Sequence, residues 1–324
     1  MTTEEYFKNL ASKLELTEKE RERISKKHNL LREKLREKLP VEDDFLTGSY
    51  SRDTMIRPGD DDKFDVDFFL AFNKDDYGNK ELPELLKTVE EALDEIKAAD
   101  EDIVAIDDQQ KRSIGVIYND NFQIDVVPAI QIEKDKLYKI FDKKTQNAVE
   151  SNPKLHSKNL TDANESTEYG SIKRLVPIIK LFKAWRRAKC GYVKSFHLEM
   201  LIVKILKEQE IQSFSKGIIK FFANASVYLQ SASLADPANE NNIIDDYLDE
   251  DGTRDGVLSL VAVEKSIAEK AVEFENEGDN ENAEKEWRKI FESEGDKNNG
   301  SEDPATKTGP VVINRAPAQP WCNV

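Results

Sequence analysis

The sequence predicts an α+β protein in which a front half mixing strands and helices is joined to an almost wholly helical back half. Three observations carry that reading. "FDVDFFLAF" (64–72), "KRSIGVIYN" (111–119) and "NFQIDVVPAIQI" (121–132) alternate or run apolar over strand lengths. Between the first and second, "ELPELLKTVEEALDEIKAA" is apolar at helical spacing. From residue 172 onward every strong pattern is helical.

Taken in order, residues 3 to 39 read as one long amphipathic helix ending near Pro40, with Ile24, Leu31 and Leu35 on a shared face. "DDFLTGSYSRDTMI" follows as a short strand, a Gly-Ser turn and a short helix; "RPGDDDK" is an acidic loop before the next strand. The segments 111–119 and 121–132 form a hairpin through the turn residues Asn119 to Asn121. Residues 142–171 are polar and read as a connection. Then come the helical stretches "IKRLVPIIKLFKAWRRA", "SFHLEMLIVKILKEQ", "FSKGIIKFFANASVYLQ" and "LSLVAVEKSIAEKAVEFENEG". The expected division is a core over 1–170, a helical domain over 171–293 and a flexible tail over 294–324, where "PVVI" and "PWCNV" return at the end.

Composition narrows the function. Hydrophobic residues make up 38% and charged residues 35% of 324, as expected of a globular protein with a solvated surface. Lys plus Arg number 48 against 64 Asp plus Glu, and a net charge of -16 argues against broad nucleic-acid binding, which neutralises phosphates with Lys and Arg. Two cysteines are too few for a disulfide framework and suit a reducing cytoplasm. The first thirty residues lack an apolar signal core and no run is apolar enough to span a membrane, so a cytoplasmic protein is expected.

Asp is depleted in strands, yet "FDVDFF" holds two. Side chains at i and i+2 share a face, so Asp65 and Asp67 lie together while Phe64, Val66 and Phe68 face a core. In "FQIDVVPAI" the same alternation isolates Asp125 from Phe122, Ile124 and Val126. Three carboxylates converging on one point call for a hard divalent cation, and Mg²⁺ takes one or two carboxylates plus substrate phosphates. Gly48 lets the backbone approach a ligand, and Ser49 opens a short helix where N–H groups favour an anion, with Ser51 and Arg52 in reach. No G-x-x-x-x-G-K-[ST] or G-x-G-x-x-G occurs.

"TGSYSRDTMIRP…DVDFFL…IDVVPAI" resembles the polymerase-β-like nucleotidyltransferases, and more narrowly the branch of cyclic GMP-AMP synthase, oligoadenylate synthases and the bacterial CD-NTases of antiphage signalling. "LFKAWRR", "KSFHLEMLIVKIL" and "LADPANENNII" are similar to the helical half of that branch, so the resemblance covers residues 1 to about 275. It implies a nucleotidyltransferase core with a C-terminal helical domain, and two Mg²⁺ ions, with Mn²⁺ as an alternative, on Asp65, Asp67 and Asp125. Gly48 and Ser49 would cradle the triphosphate. Lys183 or Lys180, one turn apart, and Ser195 would reach it from the helical side. Asn241 and Asn242 would lie near the acceptor base. Nucleoside triphosphates, ATP among them, would be joined into a cyclic di- or trinucleotide. The resemblance also leaves room for a regulatory protein at the C-terminal tail. The zinc-binding insertion of the animal DNA sensor is missing, which with the acidic balance removes long double-stranded nucleic acid as a required activator. Transfer to an RNA end or a protein, and a nucleotide-binding regulator without catalysis, are the competing expectations. Tyr50 either stacks on a base or packs beside the turn; His197 makes a local hydrogen bond.

Overall fold

The computed structural model describes residues 1–59, 63–77, 82–134, 136–250 and 252–292. The acids Asp60 to Asp62 and the tail 294–324 lie outside these. The front of the chain runs α1 (Thr3–Leu14), α2 (Glu18–Lys38), β1 (Val41–Leu46), α3 (Gly48–Ser51), β2 (Phe64–Asn73), α4 (Lys74–Tyr77) and α5 (Leu82–Ala98). Five strands and a helix follow: β3 (Ile103–Asp107), β4 (Ile114–Tyr118), β5 (Phe122–Glu133), β6 (Leu137–Asp142), β7 (Asn147–Ser151) and α6 (Pro153–Ser166). The remainder is α7 (Leu175–Lys189), α8 (Ser195–Leu206), α9 (Phe214–Tyr228), β8 (Ala235–Asp236), β9 (Asn239–Ile243), α10 (Tyr247–Glu250), α11 (Arg254–Asn276) and α12 (Asn280–Phe291).

Two units result. The sheet unit takes Glu15–Asp162 and returns for Asp236–Asn242; the helical unit takes Met1–Leu14, Ala163–Ala235 and residues 243–292. The division therefore falls at 162/163 instead of 170/171, and α1 counts with the helices. The expected single N-terminal helix is two, because Thr17 caps α2: its side chain accepts from Glu20 N, and Glu20 reaches back to the Thr17 N–H. Within the helical unit Phe7 of α1 stacks on Phe214 and meets Trp287 and Phe291 edge-on, while Glu4 pairs with Arg174 at 2.8 Å.

In the sheet unit seven strands run in the order β1-β2-β5-β4-β3, with β6 on β5 and β7 on β6. β2 and β5 are parallel and every other pairing is antiparallel. The 12-residue β5 meets β4 along its first half and β6 along its second. One face is a core of Val66, Phe68, Leu70, Phe72, Ile124 and Val126 against Ile24, Leu31 and Leu35 of α2 and Val89 and Leu93 of α5. The buried Asp44 of β1, held by Arg32 and Arg36, ties α2 to the sheet edge. On the other face Phe69, Ala71, Val127, Ala129, Tyr138 and Ile140 form a second cluster. Coverage on both faces is why "FFLAF" runs apolar without alternation.

The polar stretch 142–171 is a correction: it holds β7 and α6, not a bare connection. β7 is mostly exposed and carries little apolar signal, so only its pairing with β6 defines it. The edge strand β3 was likewise not expected.

Candidate active site

Parallel pairing of β2 with β5 sets Asp67 level with Asp125, and Asp65 level with Gln123. The three acids thus share the face whose far end is the Phe69–Val127 cluster, one register step from dry packing. Asp67 and Asp125 are buried, at 4% and 0% exposure; Asp65 is partly exposed, but its Oδ1 is buried. The shared face is the one expected from the alternation.

Burial and the neighbouring Asp125 and Asp67 carboxylates hold Asp65 well above the usual carboxylate range. Burial also raises Asp125, against hydrogen bonds from Gln123 and Gln110 that favour its charged form. A fourth acid, Asp107 at the end of β3, adds repulsion. Gln110, Gln123 and Asp107 were not singled out in the sequence. They come from the β3–β4 connection, β5 and β3, and no fixed spacing links them.

The Gly-Ser turn sits directly on β2. Gly48 has φ +66°, and a Cβ there would lie 1.8 Å from Asp67 Oδ2, so this close approach is to a site carboxylate. Thr47 N–H donates to the Asp67 carbonyl at 2.9 Å. The partly exposed Ser49 uses its carbonyl to accept from Thr54 N and Met55 N, closing the loop after α3. Ser51 Oγ donates to the Gly48 carbonyl at 3.1 Å and lies 3.2 Å from Ser157 Oγ on α6. Arg52 is buried, its N–H capping α3 on Gly48 O. Tyr50 packs against the α2-side core.

Most of the remaining expected residues have local partners. In the helical unit Lys183 makes a buried ion pair with Glu199 at 2.8 Å, Lys180 is buried one turn before it, and Ser195 is the partly exposed first residue of α8. His197 Nδ1 and Tyr247 OH share a hydrogen bond at 2.9 Å, and that hydroxyl also accepts from Lys194 N; burial pushes the ring down to about 3, keeping it neutral. Asn241 and Asn242 lie on β9: Asn241 is exposed, and Asn242 Nδ2 reaches Asp236 Oδ2 at 3.4 Å. Asp236 also bonds His156 at 2.6 Å.

All-oxygen donors suit Mg²⁺ or Mn²⁺. Asp65 Oδ1 and Asp125 Oδ2 are buried with no N–H or O–H donor to bond them among the described residues, which is the condition a cation relieves. Among these residues no three His, Cys, Asp or Glu side chains are grouped as a ready-made metal set. The donor chemistry fits the cations. No described helix is long and apolar enough to cross a membrane.

With the fold and acid face in place, residues 1–164 match the Second Messenger Oligonucleotide or Dinucleotide Synthetase domain. The chain belongs to that family. It is 30% identical over 222 residues to a cyclic AMP-AMP-AMP synthase of an Acinetobacter species; the match takes in 65% of this chain and 60% of that relative's length. Its fold is similar to Escherichia coli CdnC solved in complex with HORMA-deltaN (16% identity, TM-score 0.68, 90% of this chain and 97% of that one). It is also similar to Bradyrhizobium diazoefficiens CdnG in complex with GTP (15%, 0.69, 90% and 95%) and to Vibrio cholerae DncV cyclic AMP-GMP synthase (15%, 0.60, 77% and 68%).

Proposed function

We propose that this chain is a Mg²⁺-dependent nucleotidyltransferase that joins nucleoside triphosphates into a cyclic di- or trinucleotide second messenger, in the manner of the antiphage CD-NTases. The observation that carries this is the level pairing of Asp67 with Asp125 beside Asp65 on one buried sheet face. Family membership and the cyclic AMP-AMP-AMP synthase relative support it and favour ATP as a substrate.

Asp65, Asp67 and Asp125 hold the cations, which when bound stabilise charge on the attacking and leaving oxygens. Asp125 stands to accept the proton of the attacking ribose 2′- or 3′-hydroxyl. As the new bond to the α-phosphorus forms, the bond to pyrophosphate breaks, and a last such transfer, the second for a dinucleotide or the third for a trinucleotide, closes the ring. Gly48 and Ser49 set the turn that lines the triphosphate beside Asp67. Ser51 and Arg52 adjoin that turn; the family resemblance supports Ser195 and Lys183 or Lys180 as triphosphate contacts, and Asn241 and Asn242 as contacts of the acceptor base, where an amide both donates and accepts. The protein's own contribution is alignment and charge placement.

Few cysteines and the proposed substrate class support a cytoplasmic location. The CdnC–HORMA-deltaN complex supports a protein regulator here too. Incubation with the four nucleoside triphosphates and Mg²⁺ or Mn²⁺, with products resolved by mass, tests the reading. A cyclic adenine-containing product is expected, whereas nucleotide added only to RNA or protein would replace it with transfer to a macromolecule.

A further inference from the structure

We propose that Gln110 and Gln123 are positioning residues that hold Asp125 by one oxygen so that the other is presented to the cations; the inference rests on the metal-dependent reading above. Both side-chain amides donate from Nε2 to the same atom, Asp125 Oδ1, each at 2.8 Å. Gln123 lies two residues back along β5 on the same face, while Gln110 arrives from the β3–β4 connection. The two donors therefore approach from different elements and fix the carboxyl plane as well as its position.

The orientation of the Gln110 amide is itself determined. The buried Ser113 hydroxyl donates to Gln110 Oε1, which turns Nε2 toward the carboxylate. Two N–H groups occupy the lone pairs of Oδ1. Oδ2, buried and without an N–H or O–H donor among the described residues, is the oxygen left to bind a cation.

A second observation is independent of these bonds. Gly115 stands directly opposite Asp125 in β4, inside a strand where glycine costs stability. A Cβ there would lie 3.0 Å from Gln110 Nε2 and 3.3 Å from Gln123 Nε2. The missing side chain is the room in which both amides sit. Partners that orient a metal-binding group typically change metal affinity or activity by about 10- to 100-fold when removed.

The probe is Mn²⁺ bound to the full chain with a non-hydrolysable ATP analogue, read without turnover from the loss of the free Mn²⁺ resonance. The Asp65→Asn, Asp67→Asn double variant comes first. If it binds Mn²⁺ as the parent does, the metal-dependent reading itself fails. Given the expected loss there, Gln110→Met and Gln123→Met, close in size but without a donor, should each weaken Mn²⁺ binding by roughly tenfold and raise the Mg²⁺ needed for half-maximal synthesis in parallel. Gly115→Ala should do the same with both amides retained. If a methionine variant does not fold, Gln110→Asn or Gln123→Asn withdraws the donor by one methylene and is read identically. Mn²⁺ affinity within about twofold of the parent in the folded variants, whatever their melting temperature, overturns the proposal, because amides that only satisfy a buried carboxylate would leave the cation site unmoved.

Discussion

Gly48 and Asp67 interlock: the Asp67 carboxylate occupies the space that a side chain at position 48 would need, 1.8 Å from where its Cβ would stand. Gly48→Ala meets two penalties, the positive φ of +66° and this collision. The carboxylate must swing away or the turn must shift. Since displacement of a catalytic group by about 1 Å costs on the order of 100-fold in rate, synthesis should fall by at least that, with only a modest drop in melting temperature. Synthesis within about threefold of the parent would show that the interlock does not position Asp67 for chemistry.

Asp65 links the site to stability. Its proton is held well above the usual carboxylate range of 3.8 by burial and by Asp125 and Asp67. A folded chain that keeps a proton longer than the unfolded chain loses stability as pH rises from about 4 through the raised value. In EDTA, Asp65→Asn should therefore melt above the parent near about pH 8, and the gap should close as pH falls toward about 4. Thermal melts across that range check it; a gap that widens on acidification contradicts it.

The opposite sign applies to His197, which burial pushes from 6.5 down to about 3. Here the folded chain binds fewer protons, so stability is present above the unfolded value and is lost as pH falls from about 6.5 toward 3. Replacing His197 by Asn should flatten the dependence of melting temperature on pH between about 7 and 5. An unchanged slope would assign the acid sensitivity to other groups.

Much of this was legible from residue pattern alone, for identifiable reasons. Strict alternation around Asp65, Asp67 and Asp125 fixes a face, and parallel pairing of β2 with β5 turns that face into a site. The break between α1 and α2 was also written in the chain, as the capping box Thr17 to Glu20. A continuous run of Glu, Lys and Leu masked it. β7 was not legible because its exposed residues carry no apolar period. The amide clasp on Asp125 depends on side chains meeting across strands, and glycine inside "SIGVIYN" was its one local trace. The ion pair of Lys183 with the buried Glu199 was not legible, since it joins two helices whose sequence spacing carries no pairing signal.

Residues 294–324 carry "PVVI" and "PWCNV" at the end of a polar stretch, and short apolar motifs of this kind dock on partners. Deleting residues 305–324 should leave synthesis by the purified enzyme near the full-length level. Collapse of synthesis in a truncated chain that still melts cooperatively would make the tail part of the catalytic unit.

The most direct measurement is product formation by the Asp65→Asn, Asp67→Asn double variant beside the parent, with Mg²⁺ or Mn²⁺ and all four nucleoside triphosphates. The substitutions remove charge and keep shape, so the fold should persist, as circular dichroism would show. Metal-assisted transfer depends on those charges, and the expected result is a cyclic product from the parent and none from the variant. Product from the variant within about tenfold of the parent would contradict the assignment of this acid face as the catalytic centre.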